Sequence, residues 1–128
     1  MKYQEIDDAL AHVYLEDSFV LSISVTPGRA VFGMEFVVLP GHERYVEPAS
    51  PNPYHYERGE LVFSSVKSLV WSGQGVPPSI DPVDGSEDFG NIDSLVAENS
   101  SYLLEGDWGE MQISSQLPPK VMFADTRS

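Results

Sequence analysis

The residues best suited to chemistry in this chain are carboxylates that lie close together in one stretch. Between positions 81 and 93 the sequence places oxygen-bearing side chains at Asp81, Asp84, Glu87, Asp88, Asn91 and Asp93. Hard oxygen ligands of this kind are the ones that calcium takes. Their spacing differs from that of a helix-loop-helix calcium loop, which needs alternating oxygen donors followed by a glycine. Two interpretations stay open: a cation site, and a solvated loop in which Asp and Asn side chains cap local backbone groups.

Other catalytic arrangements have little support. Glycoside hydrolysis needs two carboxylates on opposite sides of a cleft, and twenty acidic residues produce so many accidental pairs that spacing selects none. The histidines have neither the helical spacing of a zinc protease nor a neighbouring cysteine or glycine-flanked serine; they are His12, His42 and His55. We predict no catalytic residue, no metal and no cofactor. The sequence does not decide whether the chain is an enzyme, but it favours a non-catalytic role.

Negative charge is concentrated in the second half of the chain. The formal net charge is −13; residues 1–67 carry ten acidic and five basic side chains, whereas residues 68–119 carry nine acidic and none that is basic. A field of this sign repels nucleic-acid phosphates and anionic lipid, and it attracts basic partners. We therefore expect no nucleic acid, no membrane and a basic protein as partner. The alternative, that the acidity only maintains solubility, stays open.

The compartment is predicted from what the sequence lacks. Without cysteine there is no disulfide and no thiolate nucleophile. The first residues are acidic where a signal peptide would be basic and then apolar, and no apolar run approaches the roughly 20 residues that span a bilayer. We expect a soluble, cytoplasmic protein with a single domain over residues 1–128.

Aromatic residues near the predicted loops complete the candidate site. Trp and Tyr are common anchors of protein interfaces, and an acidic rim around them suits a basic partner. The predicted partner-binding residues are Asp84, Glu87, Asp88, Asp93, Asp107, Trp108 and Trp71. In the competing interpretation Trp71 is a core or core-edge residue. A further alternative is a carbohydrate- or calcium-binding domain, or a hydrolase, that uses carboxylates and aromatic residues at the loop ends.

The elements that must position these residues are mostly strands. Apolar spacing predicts a short helix from about Gln4 to His12, within an N-terminal helical segment of residues 1–13. Period-two alternation predicts strands from Tyr14 or Phe19 to Thr26 and from Ala30 to Leu39, joined by a loop slightly longer than two residues.

Residues 59–71 read as one uninterrupted strand, with apolar side chains on both faces. Residues 72–93 read as a long acidic loop, pinned to the body by Val76, Ile80, Val83, Phe89 and Ile92. A short strand or turn is predicted at 93–97, a hairpin around the turn 106–109 and a last strand at 121–123. Together these features predict an antiparallel, mainly β domain: a sandwich or open barrel of about six or seven strands with a short N-terminal helix.

Two acidic runs carry a resemblance. The run from Glu87 to Asp93, followed by the run from Glu105 to Glu110, makes the chain similar to small acidic β-rich bacterial proteins that are mostly uncharacterised. Some of these resemble immunity proteins, which bind and neutralise a toxin made by the same cell. The resemblance covers about residues 15–123. It implies a cytosolic, non-enzymatic, single-domain binder and assigns no functional residues.

Overall fold

The computed structural model describes residues 1–48 and 53–124, so residues 49–52 and 125–128 of the predicted domain lie outside what is described. These residues form ten strands, one short 3-10 helix and one short α-helix. The elements are the 3-10 helix Tyr3–Glu5, α1 (Asp8–Ala11), β1 (Val13–Thr26), β2 (Arg29–Val38), β3 (His55–Ser64), β4 (Val66–Ser72), β5 (Ser79–Ile80), β6 (Glu87–Asp88), β7 (Ile92–Glu98), β8 (Ser101–Gly106), β9 (Gly109–Ser115) and β10 (Lys120–Phe123).

Two open four-stranded sheets and one two-stranded ribbon make up the fold. Sheet 1 has the order β1-β2-β3-β10, sheet 2 the order β4-β9-β8-β7, and β5 pairs with β6. All of these pairings are antiparallel. The prediction of an antiparallel, mainly β chain is confirmed. The predicted number of strands is wrong, because the chain between Gly59 and Trp71 divides and because the long acidic loop contains a ribbon of its own.

One hydrophobic core joins the two sheets. In β2 the residues of one parity are buried, including Phe32 and Phe36, as are Leu104, Met111 and Ile113 in sheet 2. The ring centroids of Phe32 and Trp108 are 5.2 Å apart, and those of Phe63 and Tyr102 are 5.6 Å apart. Both pairs have edge-to-face geometry. Aromatic pairs of this kind stabilise a core beyond the area that they bury. The inner faces of the two sheets therefore hold each other in a fixed relation.

The crossing between the sheets falls at Ser65. This residue has a φ of 54°, in the left-handed region, and separates β3 in sheet 1 from β4 in sheet 2. Ser115 Oγ donates across the crossing towards the Ser64 carbonyl oxygen at 2.6 Å. The single strand predicted over residues 59–71 is therefore wrong. The last basic residue before Lys120 is Lys67, so the change in charge along the sequence occurs where the chain enters sheet 2.

Two local predictions also need correction. The β1–β2 connection is a tight turn through Pro27 and Gly28, because Thr26 pairs directly with Arg29 and Gly28 supplies a φ of 78°. The N-terminal helix is much shorter than predicted: α1 has four residues, and Asp7 caps it by accepting a hydrogen bond from the Ala9 N–H.

Neighbouring segments cover two of the sheet edges. The backbones of Met1 and Ala97 exchange hydrogen bonds, which closes the β7 edge of sheet 2. At the β1 edge of sheet 1, Val20 exchanges hydrogen bonds with Phe89 and Gly90. Covered edges resist pairing with other chains. Among the described residues, no helix combines the length and apolar character needed to cross a bilayer.

Candidate functional site

The predicted site residues Asp84, Glu87 and Asp88 lie together on the β5–β6 ribbon. Three Asp carboxylates of the ribbon accept hydrogen bonds from backbone N–H groups two residues ahead, each at 2.8 Å: Asp81 from Val83, Asp84 from Ser86, and Asp88 from Gly90. This is the local capping that the second interpretation of the acidic loop predicts. The hydrogen bonds from Ser86 also lower the pKa of Asp84, which keeps that carboxyl charged.

Only part of the long loop is pinned to the body. Ile92 is fully buried and Phe89 packs against the core, as predicted. The prediction is wrong for Val76, Ile80 and Val83, which are exposed; Val83 is 92% exposed at the ribbon turn. The loop is thus anchored at its end next to β7, while the ribbon projects two apolar side chains and several carboxylates into solvent.

Asp93 and Asp107 lie at one end of sheet 2, and both are exposed. Asp107 is next to the ribbon: a Cβ placed on Gly90 would lie 2.5 Å from Asp107 Oδ2. Gly90 also has a φ of 87°, in the left-handed region, so both its conformation and the Asp107 carboxylate disfavour a side chain at this position. The predicted carboxylates therefore form two groups, one on the ribbon and one at the end of sheet 2, that meet at Gly90.

The two tryptophans are structural. Trp108 is only 2% exposed, and its Nε1 donates a hydrogen bond to the Asn91 carbonyl oxygen at 3.0 Å. Trp71 is half-buried, and its Nε1 donates to the Trp108 carbonyl oxygen at 3.1 Å. Trp108 has almost no surface to present to a protein partner, so its predicted role as a docking anchor is wrong. The competing interpretation, in which Trp71 belongs to the core edge, describes its position.

Sheet 2 presents an apolar row on its solvent-facing side. Val96, Leu103, Gln112 and Val70 pair in register across all four strands. Val70 is 60% exposed, Val96 41% and Leu103 38%. Exposed carboxylates of Glu98, Glu105 and Glu110 stand on either side of this row. We call these seven residues the acidic face: Val70, Val96, Leu103, Gln112, Glu98, Glu105 and Glu110.

Two carboxylates of the acidic face oppose each other. Glu105 in β8 and Glu110 in β9 are direct cross-strand partners, and both are exposed. Like charges directly opposite each other destabilise an antiparallel pair. The basic residues of sheet 2 and its edge are Lys2, which bridges to Val96, and Lys67 in β4, and neither is a cross-strand partner of Glu105 or Glu110. The sheet thus tolerates a repulsive pair beside its exposed apolar row.

Charge pairing occurs elsewhere. Across residues 1–48 and 53–124 the contacts of salt-bridge type are Arg44 with Glu57, His55 with Glu57, and Arg58 with Glu35. All of them belong to sheet 1 or its loops, so no carboxylate between positions 81 and 110 takes part in such a contact. The part of the chain that the structure describes also contains no cluster of three or more His, Asp or Glu side chains suited to a metal ion.

Sheet 1 carries a different constellation on its outer side. Rings of Tyr14, Tyr54, Tyr56 and Phe19 follow one another at centroid separations of 6.3, 6.2 and 6.1 Å. Beside them a cleft of about 360 Å³ separates the sheet from the β5–β6 ribbon. Its lining includes Phe19, Leu21, Glu35, Arg58, Asp81, Ser86, Glu87 and Asp88. Two of the predicted site residues, Glu87 and Asp88, therefore face this cleft.

Comparison with known proteins adds no relative to this picture. Family models, curated proteins and solved structures all gave no match. The resemblance to immunity proteins accordingly stays a prediction, and function must be argued from the surfaces of the molecule itself.

Sequence reasoning missed most of the acidic face. Glu105 and Glu110 stand out as acidic residues, but only the strand register brings them opposite each other. Exposed Val96 follows buried Leu95, and exposed Leu103 precedes buried Leu104. The alternation of side chains along a strand was therefore the available signal that Val96 and Leu103 lie on the outer face. That signal marks two faces without saying which one is solvated, and the pairing of β4 with β9 was needed to place Val70 in the same row.

Proposed function

We propose that this chain is a non-catalytic binding module that takes a basic protein through the acidic face, in the manner of an immunity-type protein that neutralises a toxin. The observation that carries the proposal is the in-register Glu105 and Glu110 pair beside the exposed row of Val70, Val96 and Leu103. Local rules of sheet design are typically broken at functional sites, where a loss of stability is offset by function. A partner's lysine or arginine between the two glutamates would turn the repulsion into attraction.

The composition of the face supports a protein as partner. Exposed apolar side chains in a row supply the buried contact area that holds a complex together, and the carboxylates around them speed docking and orient it. The same arrangement disfavours nucleic acid and anionic lipid, whose phosphates the glutamates repel. Since the face is a pleated, solvent-facing surface of a sheet, it suits a broad protein surface.

Affinity capture of proteins from native lysate tests this function. The immobilised wild-type chain is compared with two immobilised variants: Leu103→Asp, which interrupts the apolar row, and the Glu105→Gln/Glu110→Gln double variant. We expect the wild type to retain a basic protein at low salt and to release it at high salt, and we expect both variants to lose most of that protein. Titration of the purified partner should then show a dissociation constant at least about tenfold weaker for each variant, equivalent to about 1.4 kcal/mol.

Glu60→Gln provides the control for charge alone. Glu60 lies on the outer side of sheet 1, where its cross-strand neighbours are Gly33 and Met122. This variant should bind like the wild type if the acidic face is the docking surface. A loss in Glu60→Gln comparable to that in the Glu105→Gln/Glu110→Gln double variant would mean that net charge rather than the acidic face governs binding, and retention of the same proteins by the Leu103→Asp bait would refute the proposed surface.

A carbohydrate-binding function is the second candidate, because one observation favours it. The four aromatic rings on sheet 1 lie beside a cleft that contains carboxylates and Arg58. Aromatic faces with neighbouring hydrogen-bonding groups suit the mixed apolar and polar surface of a sugar. Retardation on polysaccharide-containing gels that disappears in Tyr56→Ala would support this candidate over the acidic face, whereas unchanged migration on such gels would exclude the sugars tested.

A further inference from the structure

A small aromatic pocket lies on the opposite side of β4 from the acidic face. Its volume is about 200 Å³, and it is lined by Ile23, Trp71, Gln74, Gly75, Val76, Phe89 and Trp108. Val70 points to solvent on the outer side of the strand, whereas Trp71 packs against the core. A cavity of about 150 Å³ accommodates a benzene ring, so a pocket of this size has room for a compact organic group.

Hydrogen bonds fix the two indole rings before any ligand arrives. Trp71 donates to the Trp108 carbonyl oxygen, and Trp108 donates to the Asn91 carbonyl oxygen. The rings lie 6.5 Å apart with an interplanar angle of 71°, so they form two walls of a corner. Phe89 is held in turn by the exchange of backbone hydrogen bonds between residues 89–90 and Val20. Because these side chains are already ordered, binding does not require the entropy loss of ordering them.

The electrostatic surroundings of the pocket favour a cation. No Lys, Arg or His side chain is among the residues that line it. The Asp107 carboxylate lies against Gly90, the residue after Phe89. Aromatic faces attract cations through the negative potential above the ring, most strongly in tryptophan. The Asp107 carboxylate, which lies against Gly90 next to Phe89, adds negative potential on this side without lining the pocket.

We propose that this pocket is a binding site for an organic cation of the alkylammonium class, held against the half-buried rings of Trp71 and Phe89, with the buried Trp108 supporting them from below. A quaternary ammonium group suits it best because such a group is compact and carries its charge on methyl groups that can lie flat on the rings. The same chemistry is offered by a free small molecule and by a methylated lysine side chain of a peptide. The site does not depend on the function proposed for the acidic face, since the two surfaces share no residue.

Choline and its neutral isostere dimethylbutanol, in which carbon replaces nitrogen, test the proposal. Trp71 and Trp108 are the two tryptophans of the chain, so intrinsic fluorescence and the indole N–H resonances report directly on the pocket. We expect choline to give a saturable change at both indoles and to bind roughly tenfold more tightly than the isostere. Equal affinity for both compounds would show a merely apolar pocket, and the absence of a saturable response to choline would equally overturn the proposal.

Two matched variants locate the site. Phe89→Leu retains an apolar wall but removes one aromatic face, so choline should bind several-fold more weakly while the weak binding of the isostere stays unchanged. Phe123→Leu makes the same substitution in β10 of sheet 1, outside the pocket lining, and should leave choline binding intact. An equal effect of both variants would contradict the assignment. The comparison of choline with its isostere on the wild-type protein needs no variant, so the proposal stays testable if Phe89→Leu folds poorly.

A third titration distinguishes the sources of the cation. A short neutral peptide with one trimethyllysine is compared with the same peptide carrying unmodified lysine and with free choline. Tighter binding of the trimethyllysine peptide than of choline would assign the pocket to a modified side chain, whereas tighter binding of choline would assign it to a free metabolite. Preference for unmodified lysine over both would refute the alkylammonium class.

Discussion

The tyrosine cluster on sheet 1 shows how a single contact changes the chemistry of a residue. Tyr54 donates its hydroxyl hydrogen to Asp17 Oδ2 at 2.6 Å. This hydrogen bond, together with desolvation and the charge of Asp17, raises the pKa of Tyr54 to about 12. The protonated phenol is therefore favoured in the folded chain, because only the O–H form can donate to the carboxylate.

The Tyr54 pair predicts a loss of stability at high pH. A folded-state pKa above the ordinary value of about 10 means that the stabilising contribution is complete below pH 10 and is lost as the pH rises from about 10 through about 12. Asp17→Asn should lower the pKa of Tyr54 towards its ordinary value, as measured by tyrosinate absorbance. Tyr54→Phe identifies the titrating group. An unchanged titration curve in Asp17→Asn would contradict the assignment of the hydrogen bond as the main cause.

At the scale of elements, one residue decides which sheet a strand joins. Ser65 takes a positive φ, which residues other than glycine and asparagine adopt rarely. The turn lets β3 end against β2 and β10 while β4 pairs with β9 in the other sheet. Without this change of direction, Leu69 and Trp71 would continue along sheet 1 and could not close the core.

Substitution at Ser65 tests how much the positive φ at the crossing affects the free energy of unfolding. Ser65→Val should lower the free energy of unfolding by about 1–3 kcal/mol, because a β-branched side chain is strained at positive φ. Ser65→Gly should be neutral or mildly stabilising, since glycine adopts this conformation readily. Urea denaturation gives both values. Ser68→Val, at an exposed position of β4 outside the left-handed region, is the control, and an equal loss there would show that strain at Ser65 is not the cause.

The elements that sequence predicted well are those with local signals. Alternation of apolar and polar residues located β1, β2, β8 and β9, and the glycines at 106 and 109 located their turn. The crossing at Ser65 was missed because a serine pair carries no signal for positive φ. The ribbon at 79–88 was missed because two-residue strands are too short for a period. In the candidate site, acidity could be read from composition, but the burial of Trp108 depends on tertiary packing.

For the whole molecule, charge divides along the same line as the sheets. The strands and turns of sheet 2, residues 66–72 and 92–115, carry the carboxylates Asp93, Glu98, Glu105, Asp107 and Glu110 and one basic residue, Lys67. Sheet 1 holds the ion pairs of the described residues, such as Arg58 with Glu35. The molecule therefore has one side with mixed charge and one side that is negative, and mutual repulsion on the negative side lowers stability at low ionic strength.

Glu105→Lys tests how much charge repulsion in sheet 2 lowers the stability of the fold. It replaces a repulsive cross-strand pair with an attractive one opposite Glu110, and we expect a gain of about 0.2–1 kcal/mol in the free energy of unfolding. The gain should shrink as salt is added, because the charges are exposed. Glu60→Lys changes the net charge equally but faces no charged partner directly across the strands. A matching gain in Glu60→Lys would assign the effect to net charge rather than to the opposed pair.

The β7–β8–β9 meander carries nearly all of the acidic face in one segment. Three consecutive strands hold every member of the acidic face except Val70, so most of the surface is encoded in one uninterrupted stretch of chain. Residues of the other parity, such as Leu104, Met111 and Ile113, stay in the interior. If the acidic face binds a protein as proposed, exchanging this segment while keeping its buried positions would change the binding preference without changing the core.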